Sequence, residues 1–500
     1  MKLSTLICPM LLGGFSFGML SHPACQAQTP ASAAASAPLY QETYRPQFHF
    51  TAKQGWLNDP NGLVYFDGEY HQFFQFETLL SGADPKKSWG NAVSTDLVHW
   101  HQIADAIVPD ALGPIWSGSA VVDWDNTSGF GSPGKPPLVA FYTAGGGQSP
   151  ESQGRSFTQC LAYSVDRGRT WTKDADNPVL PHVVGGNRDP KVIWYAPTRR
   201  WIMALYLDGS QFGLFSSPDL KSWTQIQTVT MEGSSECPDF FPIPLEGTTE
   251  HRWVFTAADS HYMVGTFDGK AFTAQTPPLP GDAGANFYAA QTFSGIPVRD
   301  GRRIQIAWMN GGTYPNMPFN QQMSFPCTLT LHQTPDGPRL YRWPVREVAD
   351  LYGGEMHQQD IVIQPGTQHP IPKFKGDFWD VQADFVPTAG ATAFGLRVRG
   401  TEIRYQIATD GGGILSCLGH QAALAPEHGR VTLRFLLDRT SLEVYGNRGK
   451  VSMSSCFLPS PTDTGLSVYA EGGAVTLVSL TAHSLRSAWA APSSAAVKHL

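Results

Sequence analysis

From about Tyr44 onwards, short apolar or aromatic runs alternate with clusters of Gly, Pro, Asn and Asp. Residues 70–76, 138–143, 191–195, 201–207, 253–257 and 304–309 are such runs, each of strand length. No apolar period of 3.6 residues lies between them, so helices are not expected there. After Pro344 the texture changes. From Phe378 strands with alternating polarity dominate, at 378–386, 394–398, 403–409, 431–437, 441–445 and 466–470. Six or more such strands separated by Gly-rich turns predict a β-sandwich.

The earlier part of the chain carries a weak repeat. Ser94, Asp96 and Trp100 recur as Ser164, Asp166 and Trp171, then as Ser217, Asp219 and Trp223. Thr266, Asp268 and Phe272 form a fourth, diverged copy. The copies lie about fifty to seventy residues apart, room for roughly four strands each, which is the mark of a β-propeller.

Three acidic motifs keep step with that repeat. Asp59 lies in Trp56-Leu57-Asn58-Asp59-Pro60-Asn61-Gly62, Asp189 in Asn187-Arg188-Asp189-Pro190, and Glu236 in Ser235-Glu236-Cys237-Pro238-Asp239. The composition of the first motif predicts a rigid turn leading into the strand-like 63–66. If each blade starts with its innermost strand, all three carboxylates face one central pocket. A carboxylate nucleophile, a carboxylic acid and a third acid to orient a sugar ring suit glycoside hydrolysis. Crowding is also expected to raise the proton affinity of one member, as an acid catalyst requires.

Composition narrows the partners. Aromatics at 12%, 50 Gly, 39 Pro and only 15% charged residues fit a turn-rich all-β protein. A net charge of −7 without a basic block argues against nucleic acid or an anionic membrane as partner. Met1-Lys2 and an apolar stretch from Leu3 to Leu20 read as a secretory signal ending near Ala27, predicting a secreted or periplasmic protein with no membrane association after cleavage. Pro9, Gly13 and Gly14 weaken that stretch as a spanning helix. Cys8 and Cys25 fall in this leader, and of the remaining cysteines Cys417 and Cys456 are a candidate pair. No Cys or His cluster has zinc spacing, so neither metal nor cofactor is implied. The stretch 129–135 matches the start of a phosphate-binding loop, but Pro136 replaces the Ser or Thr that such a loop needs.

These motifs together resemble glycoside hydrolase family 32, the β-fructofuranosidases, over almost the whole mature chain. WLNDPNG, RDP and ECPD occur in that family's order and spacing. So do Trp89-Gly90-Asn91-Ala92-Val93-Ser94, Trp116-Ser117-Gly118-Ser119, and Phe287-Tyr288-Ala289-Ala290-Gln291. The resemblance implies a five-bladed β-propeller followed by a lectin-like β-sandwich. It implies Asp59 as nucleophile, Asp189 as transition-state stabiliser and Glu236 as acid/base. Asn58, Gln75, Trp116, Ser117 and Arg188 are implied to hold the terminal fructosyl unit. Trp56 and Trp308 join Trp116 as the aromatics expected around it, in a channel closed at its base by aromatic side chains. Asn187, Asn286 and the run from Gly311 to Pro315 depart from the family's usual text and bear on the leaving-group side.

The domain reading places a signal at 1–27, a flexible linker at 28–43 and a catalytic propeller at 44–345. A linker at 346–357, a sandwich at 358–487 and a tail at 488–500 complete it. The expected activity is that of a secreted exo-β-fructosidase. It removes terminal β-fructofuranosyl residues from levan or inulin with retention, and acts on sucrose less well. Invertase, endo-levanase and fructosyltransferase stand as alternatives, and from another class a silent fructan-binding lectin. Levan against inulin and the oligomeric state stay open at this point.

Overall fold

The computed structural model describes residues 38–371, 377–460 and 462–489, so the signal reading at 1–27 lies outside the described residues. Within them, five antiparallel sheets follow one another along the chain. The first contains Gly55–Phe66, Glu69–Glu77, Ser88–Ser94 and His101–Ile107, with the short Phe319–Asn320 added in parallel beside Gly55–Phe66. The second runs from Ile115–Val122 to Thr172–Lys173, the third from Arg188–Tyr195 to Thr224–Thr230, and the fourth from Asp239–Pro244 to Phe272–Ala274. Tyr288–Thr292, Arg303–Trp308, Cys327–Thr334 and Gly337–Pro344 make the fifth. The first strand of each sheet touches the first strands of the sheets before and after it, and the fifth returns to the first. That ring of inner strands makes the five sheets the blades of a closed propeller.

The repeat has a local physical cause. Each copy is the turn between the third and fourth strands of a blade. Asp96 accepts the backbone N–H groups of Val98 and His99 at 3.0 and 2.8 Å, and the Trp100 indole donates to the Leu97 carbonyl at 2.9 Å. Asp166 accepts from Arg169 and Thr170, and Asp219 from Lys221 and Ser222, in the same way. Trp171 and Trp223 close their turns as Trp100 does. In the fourth copy Asp268 keeps the same two bonds, to Lys270 and Ala271, while Phe272 takes the place of the indole. A carboxylate saturating a turn's N–H groups is a local solution that each blade reuses.

The later strands form two six-stranded sheets packed face to face. One has the spatial order Tyr352–Ile363, Val475–Leu485, Trp379–Pro387, Val431–Leu437, Ser441–Gly446, Val451–Cys456. The other runs Gln368–Pro370, Leu466–Glu471, Ala393–Val398, Thr401–Ile407, Gly413–Cys417, His420–Ala423. Phe385, Phe394, Tyr405, Leu433, Phe435 and Leu477 fill the space between them, as alternation along each strand requires.

Three expectations at the seams are corrected. Residues 352–357, expected in a linker, open the edge strand Tyr352–Ile363, which is paired throughout with Val475–Leu485; its largely exposed, polar sequence hides a strand that lies on a sheet edge. The described end of the expected N-terminal linker is docked, with Tyr40 stacked on Trp489 at 4.1 Å and Glu42 bonded to the fully buried Arg45. Ala488, expected to start a loose tail, is buried and donates its N–H to Gln47 at 2.8 Å. Cys417 and Cys456 are both free thiols: Cys417 lies in the sandwich core, whereas the Cys456 thiol faces the Tyr314 hydroxyl at 3.7 Å.

Propeller and sandwich are tied through buried charge. His49 lies between Asp438 and Glu443, at 2.9 Å from each, with no exposed side-chain surface. Burial alone would lower its pKa, but the bonds to the two carboxylates outweigh burial and hold it at about 9. Arg342 of the fifth blade pairs with Asp282 at 3.0 Å, and the same carboxylate accepts from Ser452 and Ser454 of the sandwich.

Candidate active site

The motif around Asp59 is not a turn that precedes a strand. It is the strand itself, Gly55–Phe66, bulged between Leu57 and Pro60 and again between Asn61 and Val64. Bulges accommodate residues that cannot join the ladder and re-aim their side chains, and Gly62, at φ +54°, supplies the positive φ such an irregularity needs. Asp59 is thereby presented rigidly on the innermost strand. Ser117 Oγ donates to its Oδ2 at 2.5 Å, Gln75 Nε2 to the same oxygen at 3.2 Å, and Asn58 Nδ2 to Oδ1 at 3.2 Å. Gln75 also bonds Ser117. Asn58 is oriented in turn by Trp56 Nε1 and Lys87 Nζ, at 3.2 and 3.3 Å.

Asp189 opens the third blade's inner strand, and Glu236 stands just ahead of the fourth blade's. Asp189, Glu236 and Cys237 have φ of +65°, +61° and +37°, left-handed conformations that non-glycine residues rarely hold. Three together beside one pocket are backbone strain held in place by the surrounding propeller. Pro190 adds to this by disfavouring the right-handed helical region for Asp189.

The three acids converge. The Cys237 thiol reaches Asp59 Oδ2 at 3.5 Å and Asp189 Oδ2 at 3.4 Å, and the Cys237 N–H donates to Asp189 at 3.0 Å. Burial, then the neighbouring carboxylates, keep that thiol protonated. Arg188 Nη2 donates to Glu236 Oε1 at 2.5 Å, and the Tyr288 hydroxyl to Oε2 at 2.5 Å. The guanidinium lies over the Tyr206 ring at 4.5 Å. Burial first, and the Asp59 charge second, push the Asp189 pKa up to about 7. The raised proton affinity expected of one member is found at Asp189, the most enclosed of the three.

Polar groups, not aromatics, close the channel beneath the acids. Gln291 accepts from Leu63 N–H at 3.0 Å and donates to the Gly118 carbonyl at 3.0 Å. Beside it, buried Lys191 pairs with Asp239 at 3.3 Å, and a void of only about 10 Å³ remains between Asn61, Ser117, Asp189, Cys237 and Gln291. The aromatics instead stand in contact near the acids: Trp56 edge-on to Trp308 at 6.3 Å, Tyr288 edge-on to Trp308 at 6.1 Å, and Trp116 against Phe157 at 4.7 Å.

Several members were not singled out as site residues from the sequence. Tyr288 stands inside the FYAAQ text, but its bond to Glu236 depends on two blades meeting. Cys237 stands inside the ECPD text in the same way, whereas Lys87 and Gln321, which accepts from Trp308 Nε1 at 2.9 Å, carry no sequence signal of their own. The departures from family text prove to be structural. Asn187 is buried and caps Val183 and Val184, and Tyr314 donates to Gln322 at 2.7 Å. Asn286 accepts from Cys456 N–H at 2.7 Å and donates to the Asn310 carbonyl at 2.5 Å. Strand Val451–Cys456 also bonds the backbone at Ala283 and Asn286, so the sandwich grips the loop that ends in Tyr288.

A five-bladed propeller with three acids on or beside its inner strands, joined to a β-sandwich, defines the class: a propeller glycoside hydrolase. The chain belongs to glycosyl hydrolases family 32, whose N-terminal domain model matches residues 49–344 and whose C-terminal model matches residues 347–484. It is 37% identical over 499 residues to a levanase of Bacillus subtilis (strain 168), a match covering 91% of this chain and 72% of the relative. It is 30% identical over 521 residues to an extracellular exo-inulinase of Aspergillus ficuum, covering 90% and 96%. The crystal structure of exo-inulinase from Aspergillus awamori has a TM-score of 0.79 at 27% identity, over 90% of this chain and 100% of that one.

Proposed function

We propose that this protein is an exported exo-β-fructosidase that hydrolyses terminal β-fructofuranosyl units of levan- or inulin-type fructans, and sucrose less efficiently. The observation that carries this reading is the convergence of Asp59, Asp189 and Glu236 on a channel plugged at its base by Gln291 and the Lys191–Asp239 pair. Such a pocket admits a chain end and excludes a chain middle. Similarity to levanases and exo-inulinases supports fructan as substrate, and the leader-like start together with an extracellular relative supports export.

In this reading Asp59, held by Ser117, Gln75 and Asn58, attacks the anomeric carbon. Glu236 protonates the glycosidic oxygen as that bond breaks, and the leaving chain departs with the proton. Glu236 then takes a proton from water, which attacks the fructosyl–Asp59 ester and frees the nucleophile with the anomeric configuration retained. Asp189 and Arg188 bind hydroxyls of the fructosyl ring, and Trp56, Trp116 and Trp308 enclose it. Product analysis tests the proposal. Levan and inulin should each give free fructose from the first minutes, in the β form by early-time NMR, with few intermediate oligosaccharides. An early ladder of oligosaccharides with little fructose would refute the exo reading, and α-fructose would refute the covalent route.

A further inference from the structure

Away from the carboxylates, the outer strands of the fifth blade and the sandwich leave between them a cleft of about 580 Å³. That is within the range of about 300–1,000 Å³ typical of ligand sites, with room for roughly three sugar rings. It lies toward the opposite propeller face, since Glu246 on its rim follows the far end of Asp239–Pro244, the strand that Glu236 precedes.

The lining has the chemistry of a carbohydrate site. Tyr341 and Trp343 are half-buried on the strand Gly337–Pro344; Tyr341 stacks on His332 at 4.2 Å and Trp343 carries the Arg434 guanidinium at 4.8 Å, which leaves one face or an edge of each ring for the cleft. Facing them are Gln382 and Arg448 of the sandwich, with the carboxylates of Glu246 and Glu427 at the edges. The turn carrying Arg448 is fixed, not loose. Asn447 and Arg448 both hold positive φ, at +44° and +56°, and Gly449 packs directly on the Arg342 backbone, where no side chain would fit. Asn447 is buried and bonds the Ala425 carbonyl at 2.8 Å and the Thr432 N–H at 3.0 Å. Glu246 and Glu427 are balanced by Arg448 and by Lys450, which lies 3.9 Å from Glu427, so no charged ligand is favoured. Rings beside amide, carboxylate and guanidinium groups suit a neutral, polyhydroxylated chain.

We propose that this cleft is a second, non-catalytic site that holds an internal stretch of a β-fructan chain, an inference that rests on fructans being the substrate. It would keep the enzyme on the polymer while chain ends are trimmed elsewhere.

The test is electrophoresis of the full chain in native gels containing levan or inulin, with Glu236→Gln in every sample to prevent digestion. The catalytic pocket sees only the few chain ends, so retardation reports the cleft. The double variant Gln382→Ala/Arg448→Ala alters exposed side chains, and Tyr341→Ala serves as an independent second variant. Each should weaken retardation by about ten-fold in apparent Kd. With Glu236 restored, the same variants should raise KM for polymer at unchanged kcat and leave sucrose hydrolysis unaltered. Unchanged retardation in both variants, or no retardation of the parent, would overturn the proposal. Failure of the parent enzyme to release fructose from any fructan would instead refute the proposed function.

Discussion

Replacing Asp189 by Asn should make the protein more stable, and increasingly so as the pH rises. Asp189 is 6% exposed, shares its pocket with Asp59, and lies 3.8 Å from Arg188 Nε, whose guanidinium is committed to Glu236. Its folded pKa of about 7 stands well above the roughly 3.9 of an unfolded Asp. Between those values the folded state binds the proton more tightly, so stability falls as pH rises from about 4 to about 7 and the full cost persists above. A difference of about three units sets a ceiling of about 4 kcal/mol. Asn carries no charge and can still accept the Cys237 N–H. With an unfolding entropy of about 2.1 cal/mol/K per residue, a chain of this size should gain up to about 4 °C at pH 8.5 and nothing at pH 4. Calorimetry of both proteins across that range at fixed ionic strength reads the effect. A Tm difference that is independent of pH, or a variant less stable at pH 8.5, would refute the reasoning. Activity of Asp189→Asn should fall steeply, the trade expected where function requires a buried charge.

The remaining predictions concern the other members. Asp59→Ala and Glu236→Ala should each lower kcat by about three orders of magnitude or more with the fold intact by circular dichroism, and azide should partly restore Glu236→Ala on a substrate with an activated leaving group. Tyr288→Phe removes a donor from Glu236 Oε2 and should lower kcat by about ten-fold while moving a limb of the kcat/KM pH profile; an unmoved profile would deny Tyr288 that role. His49 has a raised folded pKa, so its contribution, up to about 3 kcal/mol, should be complete below about pH 6.5 and lost as pH rises through 9. Denaturation of His49→Gln should lack that alkaline slope, and a variant that retains it would place the titration elsewhere.

The blades were legible because Asp96, Asp166, Asp219 and Asp268 saturate the same kind of turn, and local solutions leave local text. The acids were legible because each lies at or just ahead of the inner strand of its blade. The bulges at Asp59 were not, since Asn, Asp, Pro and Gly spell a turn equally well when no register partner is known. Nor was the base of the channel: Gln291 and the Lys191–Asp239 pair gain meaning only when three blades face one another. The strand Tyr352–Ile363 was missed because its polar positions fit a linker as well as a sheet edge. Asn286 looked like a lapse from the family's text, and only the sandwich beside it explains what it holds.

That grip has a consequence for how the protein fails. The loop that leads into Tyr288 is fastened to Val451–Cys456 by backbone bonds at Ala283 and Asn286, so the approach to Glu236's hydrogen-bond partner is braced by a module that contains neither residue. Loosening the sandwich should therefore silence the enzyme while the blades still give their full circular dichroism. A substitution that weakens the sandwich core should lower the temperature of inactivation more than that of propeller melting. A more durable enzyme would be built by reinforcing the smaller module, which carries none of the three acids.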